Sequence, residues 1–191
     1  MYEVEADTIY CYPGTAVLRN KLDLQDPAEL ADFEAEITAQ RASEPLPAGR
    51  MDDKHYRAIH RHLFQDVYDW AGEIRKVRIA KNGNWFCFPE NIDKQMSEIF
   101  ARLAKERHLK GLDKSTFAKK AAHLLAELNA IHPFREGNGR TQLSFLAVLA
   151  DYAGHSFDLD KLKPQAMLKA TIASFDADEG PLVGVILKLI K

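Results

Sequence analysis

One run constrains the fold of this chain more than any other. Inside "RTQLSFLAVLADYAG" (140–154), from Leu143 to Ala150, nearly every direction around a helix would carry an apolar side chain. A surface helix shows one apolar stripe, whereas a helix apolar all round has to be enclosed by others. Gly154 closes the run as glycine closes helices. The remaining chain must therefore supply a jacket of helices. Its 191 residues suffice for one domain with a real core. The reading is a single unit, 1–191, with an N-terminal helical segment over 1–44, a core over 50–154 and C-terminal helices over 158–191.

The jacket is legible as helical periodicity. "DPAELADFEAEITAQRA" places Asp26 as N-cap and Pro27 at the first helical position, then Leu30, Phe33 and Ile37 on one stripe. "MDDKHYRAIHRHLFQDVYDWAG" continues through Tyr56, Ile59, Leu63, Phe64 and Val67 and is expected to run to Gly72. "IDKQMSEIFARLAKERH" carries Ile92, Met96, Ile99, Phe100 and Leu103. "DKSTFAKKAAHLLAELNAIHPF" carries Phe117, Ala121, Leu124, Leu125, Leu128 and Ile131, and Pro133 should end it. "KPQAMLKATIASF" and "PLVGVILKLI" read as a final helical pair, although Val183, Val185 and Ile186 would suit a strand equally. Pro45, Pro47 and Gly49 make Ala42 to Asp53 a loop within the domain.

One segment departs from this period. "RKVRIAKNGNWFCFPEN" alternates around Val77 and Ile79, then Trp85 to Phe88, with Asn82-Gly83 between. Asn-Gly between two extended runs is the strongest short hairpin signal. The fold class is thus mostly α with one β-hairpin, and the hairpin is the element that asks for a functional reason.

Composition narrows the function classes. Apolar content of 46% and charged content of 28% are ordinary globular values. A formal net charge of -2 offers no broad surface for nucleic acid or an anionic membrane. No apolar run reaches the length of a bilayer span, and "MYEVEADTIY" lacks the basic-then-apolar pattern of a secretory signal. Cys11 and Cys87 match no metal or redox spacing. A reducing cytosol fits, with room left for a specialised secretion signal; no nucleic acid and no membrane partner is expected.

Chemistry concentrates in "HPFREGNGRTQL" (132–143). A short glycine-rich turn joins two helices there, and glycine permits unusual backbone angles and close ligand approach. The amides of Gly137, Asn138 and Gly139 would face outward at a helix N-terminus, a natural anion site. Arg140 adds a planar fork suited to phosphate oxygens. Glu136 beside such a site makes sense if Mg²⁺ bridges it to substrate phosphates. His132, with an unperturbed pKa near 6.5, suits a general base for a hydroxyl nucleophile. Base, metal ligand, amide cradle and arginine together read as phosphate transfer.

His132, Phe134, Glu136, Gly137, Asn138, Gly139 and Arg140 match the signature of the Fic family, His-Pro-Phe-x-Asp/Glu-Gly-Asn-Gly-Arg-x-x-Arg. "YCYPGTAVLRNKL" resembles the start of many bacterial Fic toxins, "IHRHLFQDVYDWAGEIR" their middle helix and "VRIAKNGNWFCF" their flap, so the likeness runs to about Gly154. The resemblance implies a Fic fold of about six to eight helices with a hairpin flap over the active site, in a cytoplasmic bacterial protein. It implies a protein adenylyltransferase, moving AMP from ATP to a hydroxyl side chain of a target protein. By it His132 would deprotonate the hydroxyl, Glu136 would hold Mg²⁺, and the 137–139 backbone with Asn138 would form the anion hole. Arg140 would bind the phosphate chain and Phe134 would be a core anchor. The flap, Ile79, Ala80, Lys81, Asn82, Gly83, Asn84, Trp85 and Phe86, would dock the target as an added strand. Type II topoisomerase is the implied target and a small antitoxin helix in trans the implied restraint.

The signature ends in a second arginine where this chain has Leu143. In the family that arginine grips the γ-phosphate and pairs with the antitoxin's glutamate. A charged hydrogen bond is worth roughly 1.5–3 kcal/mol, so its loss would weaken productive ATP use by about one to two orders of magnitude. Leu143 leaves open an inactivated member, a clamp supplied by another basic residue or a donor other than ATP, weak AMP transfer, and a nucleotide- or partner-binding module. Self-restrained members carry Ser/Thr-x-x-x-Glu-Gly/Asn. The chain's Glu-Gly and Glu-Asn pairs at Glu90, Glu136 and Glu179 follow Phe86, His132 and Phe175 instead. His55, His60, His62, His108, His123 and His155 read as surface or satisfied core groups, Trp70 and Trp85 as core or hairpin packing, and Lys81 as a solvated charge or a target contact.

Overall fold

Aspartates start three of the helices, each accepting backbone N–H groups that the first turn leaves without partners. The structure, a computed structural model, describes residues 7–81 and 83–191 in full and the backbone of Glu3–Val4. Asp26 caps α1 (Pro27–Ser43) by accepting from the N–H groups of Ala28 and Glu29. Asp52 caps α2 (Asp53–Phe64) through His55, and Asp113 caps α4 (Lys114–Ile131) through Ser115 and Thr116. Proline opens α3 (Pro89–Lys105) and α6 (Pro164–Phe175). With α5 (Asn138–Ala153) and α7 (Gly180–Leu189) this makes seven α-helices among the described residues, and the final apolar run, open to either reading, is helical.

α2 stops at Phe64, eight residues short of Gly72. The chain turns back after Phe64 so that the Gly72 N–H donates to His60 Nδ1 at 2.8 Å. A Cβ on Gly72 (φ +87°) would lie 3.0 Å from Arg61 Cβ and 3.2 Å from the Arg57 carbonyl oxygen, so the return pass needs glycine. This reversal is a tertiary contact, which periodicity does not report.

α5 packs between α2 and α4. Phe145, Leu146, Leu149 and Ala150 are fully enclosed, while Leu143, Ser144, Ala147 and Val148 keep a half-exposed strip. The jacket is therefore open along one side, on which Leu143 stands. α6 and α7 pack on each other and on α4. The core links residues of all these helices, and its centre is aromatic: the Phe134 ring lies 3.7 Å from that of His60 and 5.6 Å from that of Tyr56. Among the described residues no helix is long and apolar enough to cross a membrane.

The hairpin forms as β2 (Ile79–Lys81) and β3 (Asn84–Trp85), with Ala80 facing Trp85. Its turn uses Gly83 at φ +77°; Asn82, the other turn position, lies outside the described residues. The sequence did not announce β1 (Glu3–Val4), which pairs antiparallel with β2 and makes the order β1-β2-β3. Close by in sequence, the Asp7 carboxylate forms a 2.6 Å ion pair with Arg135, both almost wholly enclosed. Asp7 also accepts from the Tyr10 N–H at 2.8 Å, so one buried acid ties the N-terminal segment to the 132–140 loop. Asp7→Ala breaks the enclosed ion pair and removes the acceptor of the Tyr10 N–H together, and is expected to cost about 3–5 kcal/mol. Thermal unfolding should show a drop of roughly 10 °C; a shift under about 2 °C would mean that Arg135 finds another acceptor or water.

Candidate active site

The site is built where α4 ends. Pro133 stops the helix, and His132 takes left-handed angles (φ 50°, ψ 64°) as its C-cap, with its N–H still donating to the Leu128 carbonyl at 2.9 Å. His132 Nδ1 lies 3.1 Å from the Asn129 carbonyl oxygen. A carbonyl only accepts, so Nδ1 carries the proton and Nε2 is left as the base. The Phe86 ring of the flap stacks on the imidazole at 3.8 Å. His132 is therefore not the near-neutral group its unperturbed value suggests. Burial pushes its pKa down to about 3, the Asn129 bond opposes, and the charges of Arg75 and Lys81 lower it further.

The turn that follows is closed by its own side chains. Asn138 accepts from the Phe134 N–H at 2.9 Å and donates to the Phe134 carbonyl at 2.8 Å. The Asn138 side chain is fully buried and occupied there, so what it can offer an anion is its backbone N–H. Gly137, at φ +82°, precedes α5, and a Cβ on it would lie 2.3 Å from the Phe64 ring. Space is open above Gly139, where a Cβ would meet nothing within 4 Å. Among the described residues no side chain caps α5, whose first backbone bond is Thr141 to Gly137. The N–H groups of Asn138, Gly139 and Arg140 are thus bare at a helix N-terminus, with the positive end of the dipole behind them.

Glu136 accepts from the Gly137 N–H at 2.9 Å, and its carboxylate lies 3.8 Å from the Arg140 guanidinium. Burial raises its pKa, with Glu34 adding to the rise while the Gly137 N–H, Arg140 and Lys81 oppose. Arg140 itself is engaged: it pairs with Glu34 of α1, donates to Thr38 Oγ1 at 3.0 Å, and lies over the Phe64 ring at 4.6 Å. Tyr68 donates to the other oxygen of Glu34. Leu143, one turn on, is half-exposed and stands outside the hydrophobic core.

Of the flap residues, Ile79 and Ala80 are fully buried, Phe86 nearly so, and Lys81, Gly83, Asn84 and Trp85 are exposed. Of the two packing readings of Trp85, the hairpin one holds: its ring lies against Arg78 and outside the core. A groove of about 330 Å³ is lined by Lys21, Lys54, Arg57, Arg61 and neighbours, none of them from the 132–140 turn.

Three further residues hold the site. Arg75, 1% exposed, donates to the carbonyls of His132 (2.7 Å), Ile131 (3.1 Å), Val77 (2.7 Å) and Cys87 (2.5 Å). His60, fully buried, accepts from Gly72, so its Nε2–H donates to the Glu136 carbonyl at 3.0 Å. Glu34 positions Arg140. Arg75 and His60 both lie in "IHRHLFQDVYDWAGEIR"; a buried arginine and histidine have no periodic signal, and only the polar residue standing inside an apolar stripe hinted at His60.

Known proteins share this fold. The Fic/DOC family pattern matches residues 50–150. The chain belongs to the Fic/DOC family. It is 52% identical over 181 residues to a Sinorhizobium fredii protein named a probable protein adenylyltransferase, y4lH, covering 94% of each chain. Among solved structures it resembles the N-terminal Fic domain of a VirB-translocated effector from Bartonella quintana with bound ADP (TM-score 0.87, 30% identity, 95% and 94% of the two chains). It also resembles the effector BepC of Bartonella tribocorum with bound AMPPNP (TM-score 0.86, 28% identity, 95% and 96%). The mostly helical Fic fold with its hairpin is that of this chain, and the seven helices fall within the six to eight that the family implied.

The buried groups make stability depend on pH. Burial lowers the pKa of His60 and of His132 to about 3, the Glu136 carbonyl bond opposing and Arg140 assisting at His60. The unfolded chain then binds more protons below pH 6.5, and stability is lost as pH falls. At pH 5 the loss is about 2 kcal/mol per histidine relative to pH 7, measurable as a lower urea midpoint; an unchanged midpoint would mean that the rings are charged in the folded chain. Gly137→Ala meets both a left-handed φ and the Phe64 ring, and should cost more than about 2 kcal/mol. Gly139→Ala, facing open space, should unfold within about 1 kcal/mol of the parent.

Proposed function

We propose that this chain is a protein adenylyltransferase, transferring AMP from ATP to a hydroxyl side chain of a target protein. The observation that carries the reading is the pairing of a tautomer-locked His132, whose Nε2 is a base, with three bare amides at the start of α5. In the reaction Nε2 takes the proton of the target hydroxyl, and the oxygen attacks the α-phosphate as pyrophosphate leaves. The amides of Asn138, Gly139 and Arg140 stabilise charge on the phosphate oxygens. Positioning and charge stabilisation do most of such chemistry.

Glu136 suits Mg²⁺ held mainly by nucleotide phosphates, since one carboxylate faces the amide cradle. Among the described residues no group of three or more metal-binding side chains competes with it as an all-protein cage. Bound there, the ion would supply charge neutralisation. Arg140 takes the phosphate chain by exchanging its Glu34 partner for phosphate. The flap docks the target by strand addition, and the toxin reading, with type II topoisomerase as target and an antitoxin helix in trans, rests on the family resemblance alone. Transfer from a donor other than ATP is a second reading. It is favoured by Leu143, which cannot grip a terminal phosphate.

The test is label transfer from α-³²P-ATP with Mg²⁺ to a bacterial lysate, by this chain, His132→Ala and Leu143→Arg. The expected outcome is label that His132→Ala abolishes and Leu143→Arg raises by about one to two orders of magnitude. Activity should also persist to well below pH 6, because burial keeps His132 neutral there. Absence of label in every lane would favour another donor.

A further inference from the structure

The flap carries an arginine that no acid answers among the described residues. Arg78 stands one residue before β2, on the hairpin face shared by Ala80 and Trp85. Its guanidinium carbon lies 4.3 Å from the centre of the Trp85 ring and 3.9 Å from that of Phe88. Its Nε is buried without a hydrogen-bond partner. Both rings are themselves open, 41% for Trp85 and 45% for Phe88. A stack of this kind is worth little at an exposed site by itself. What it does is hold the guanidinium plane still; with Nε enclosed, the end bearing Nη1 and Nη2 is the edge left for a bidentate acceptor.

The backbone shows where that acceptor would come from. The Phe86 N–H donates to the Ile79 carbonyl at 3.2 Å. In an antiparallel pair the bonded and non-bonded positions alternate, so the facing pair Ala80 and Trp85 is non-bonded and Trp85 turns its N–H and C=O outward. The opposite edge of the hairpin is taken by β1, where Glu3 faces Ala80. Among the described residues, β3 is the hairpin edge left open, and Trp85 is the position through which a strand would bond to it. Side chains directly across from Trp85 or diagonal to it lie within reach of the ring and of the cation stacked on it.

We propose that Arg78, clamped between Trp85 and Phe88, makes the flap select target segments that carry an aspartate or glutamate at the strand position beside Trp85. This rests on the reading that the flap docks its target by strand addition. Trp and Arg are the residue types that most often dominate the energetics of an interface. An arginine with no carboxylate partner among the described residues also has no described pair to break before it binds one.

The test uses fluorescein-labelled dodecapeptides with one central hydroxyl residue, in which a single Glu or Gln is walked along the other positions. Binding by anisotropy needs neither donor nor catalysis, so Leu143 does not enter. Glu should bind about ten-fold more tightly than Gln at one register and not at the others. Arg78→Met should erase that ratio while leaving Gln-peptide affinity unchanged, and Arg78→Lys should keep some of it. Trp85→Pro, which removes the outward N–H, should weaken all peptides alike. Peptides that bind with no Glu preference, or a preference that survives Arg78→Met, would overturn the role of Arg78 alone. Absence of any peptide binding, or binding indifferent to Trp85→Pro, would overturn edge docking itself.

Discussion

The Arg75 guanidinium is the contact on which the rest of the site depends. A helix that ends inside the protein leaves its last carbonyls without partners, and each would cost free energy comparable to a lost hydrogen bond. α4 ends in this way, and Arg75 caps it by donating to the Ile131 and His132 carbonyls. The same side chain donates to Val77 and Cys87 on the two arms of the hairpin root. One buried cation therefore holds the left-handed His132 and seats the flap, whose Phe86 lies on the imidazole. Charge-assisted bonds are about twice as strong as neutral ones, which offsets the desolvation of a guanidinium at that depth.

The start of α5 is kept clear of side chains by contacts made elsewhere. Asn138 staples the turn to Phe134, Phe64 fills the space that only a glycine at 137 leaves, and His60 holds the Glu136 carbonyl. These contacts occupy side chains that could otherwise cap α5, so its first amides stay available. Arg140 is preset by Glu34 and Thr38 from α1. Its fork is therefore held in one orientation beside the start of α5.

Much of this was legible in the chain. The helix starts followed from Asp26 with Pro27, and Pro133 marked where α4 stops. Asn82-Gly83 marked the turn between the hairpin strands, of which Gly83 is described. The 132–140 residues fall on one turn as their order suggested. The end of α2 was not legible, because the chain reverses to satisfy His60, a contact between residues twelve apart. β1 was not, because two residues have no period. Whether Trp85 packs in the core or within the hairpin was open in the chain; its half-open ring lies on Arg78 and outside the core. The unperturbed value for His132 missed the burial that the flap and α4 impose together.

What the sequence determined by itself is local: apolar periods, caps, a hairpin turn and a run of residues whose chemistry is phosphate transfer. These depend on neighbours within a few positions, where spacing dictates geometry. What only the tertiary structure decided is which polar groups are spent and which remain. Asn138 is spent on Phe134, His60 on Gly72 and Glu136, Arg140 on Glu34, and Arg75 on four carbonyls, while the α5 amides and Arg78 are left over. That division is made by contacts between residues up to about a hundred positions apart, such as Arg140 with Glu34. Burial then sets the cost of leaving any of them unpaired, and no linear pattern records it.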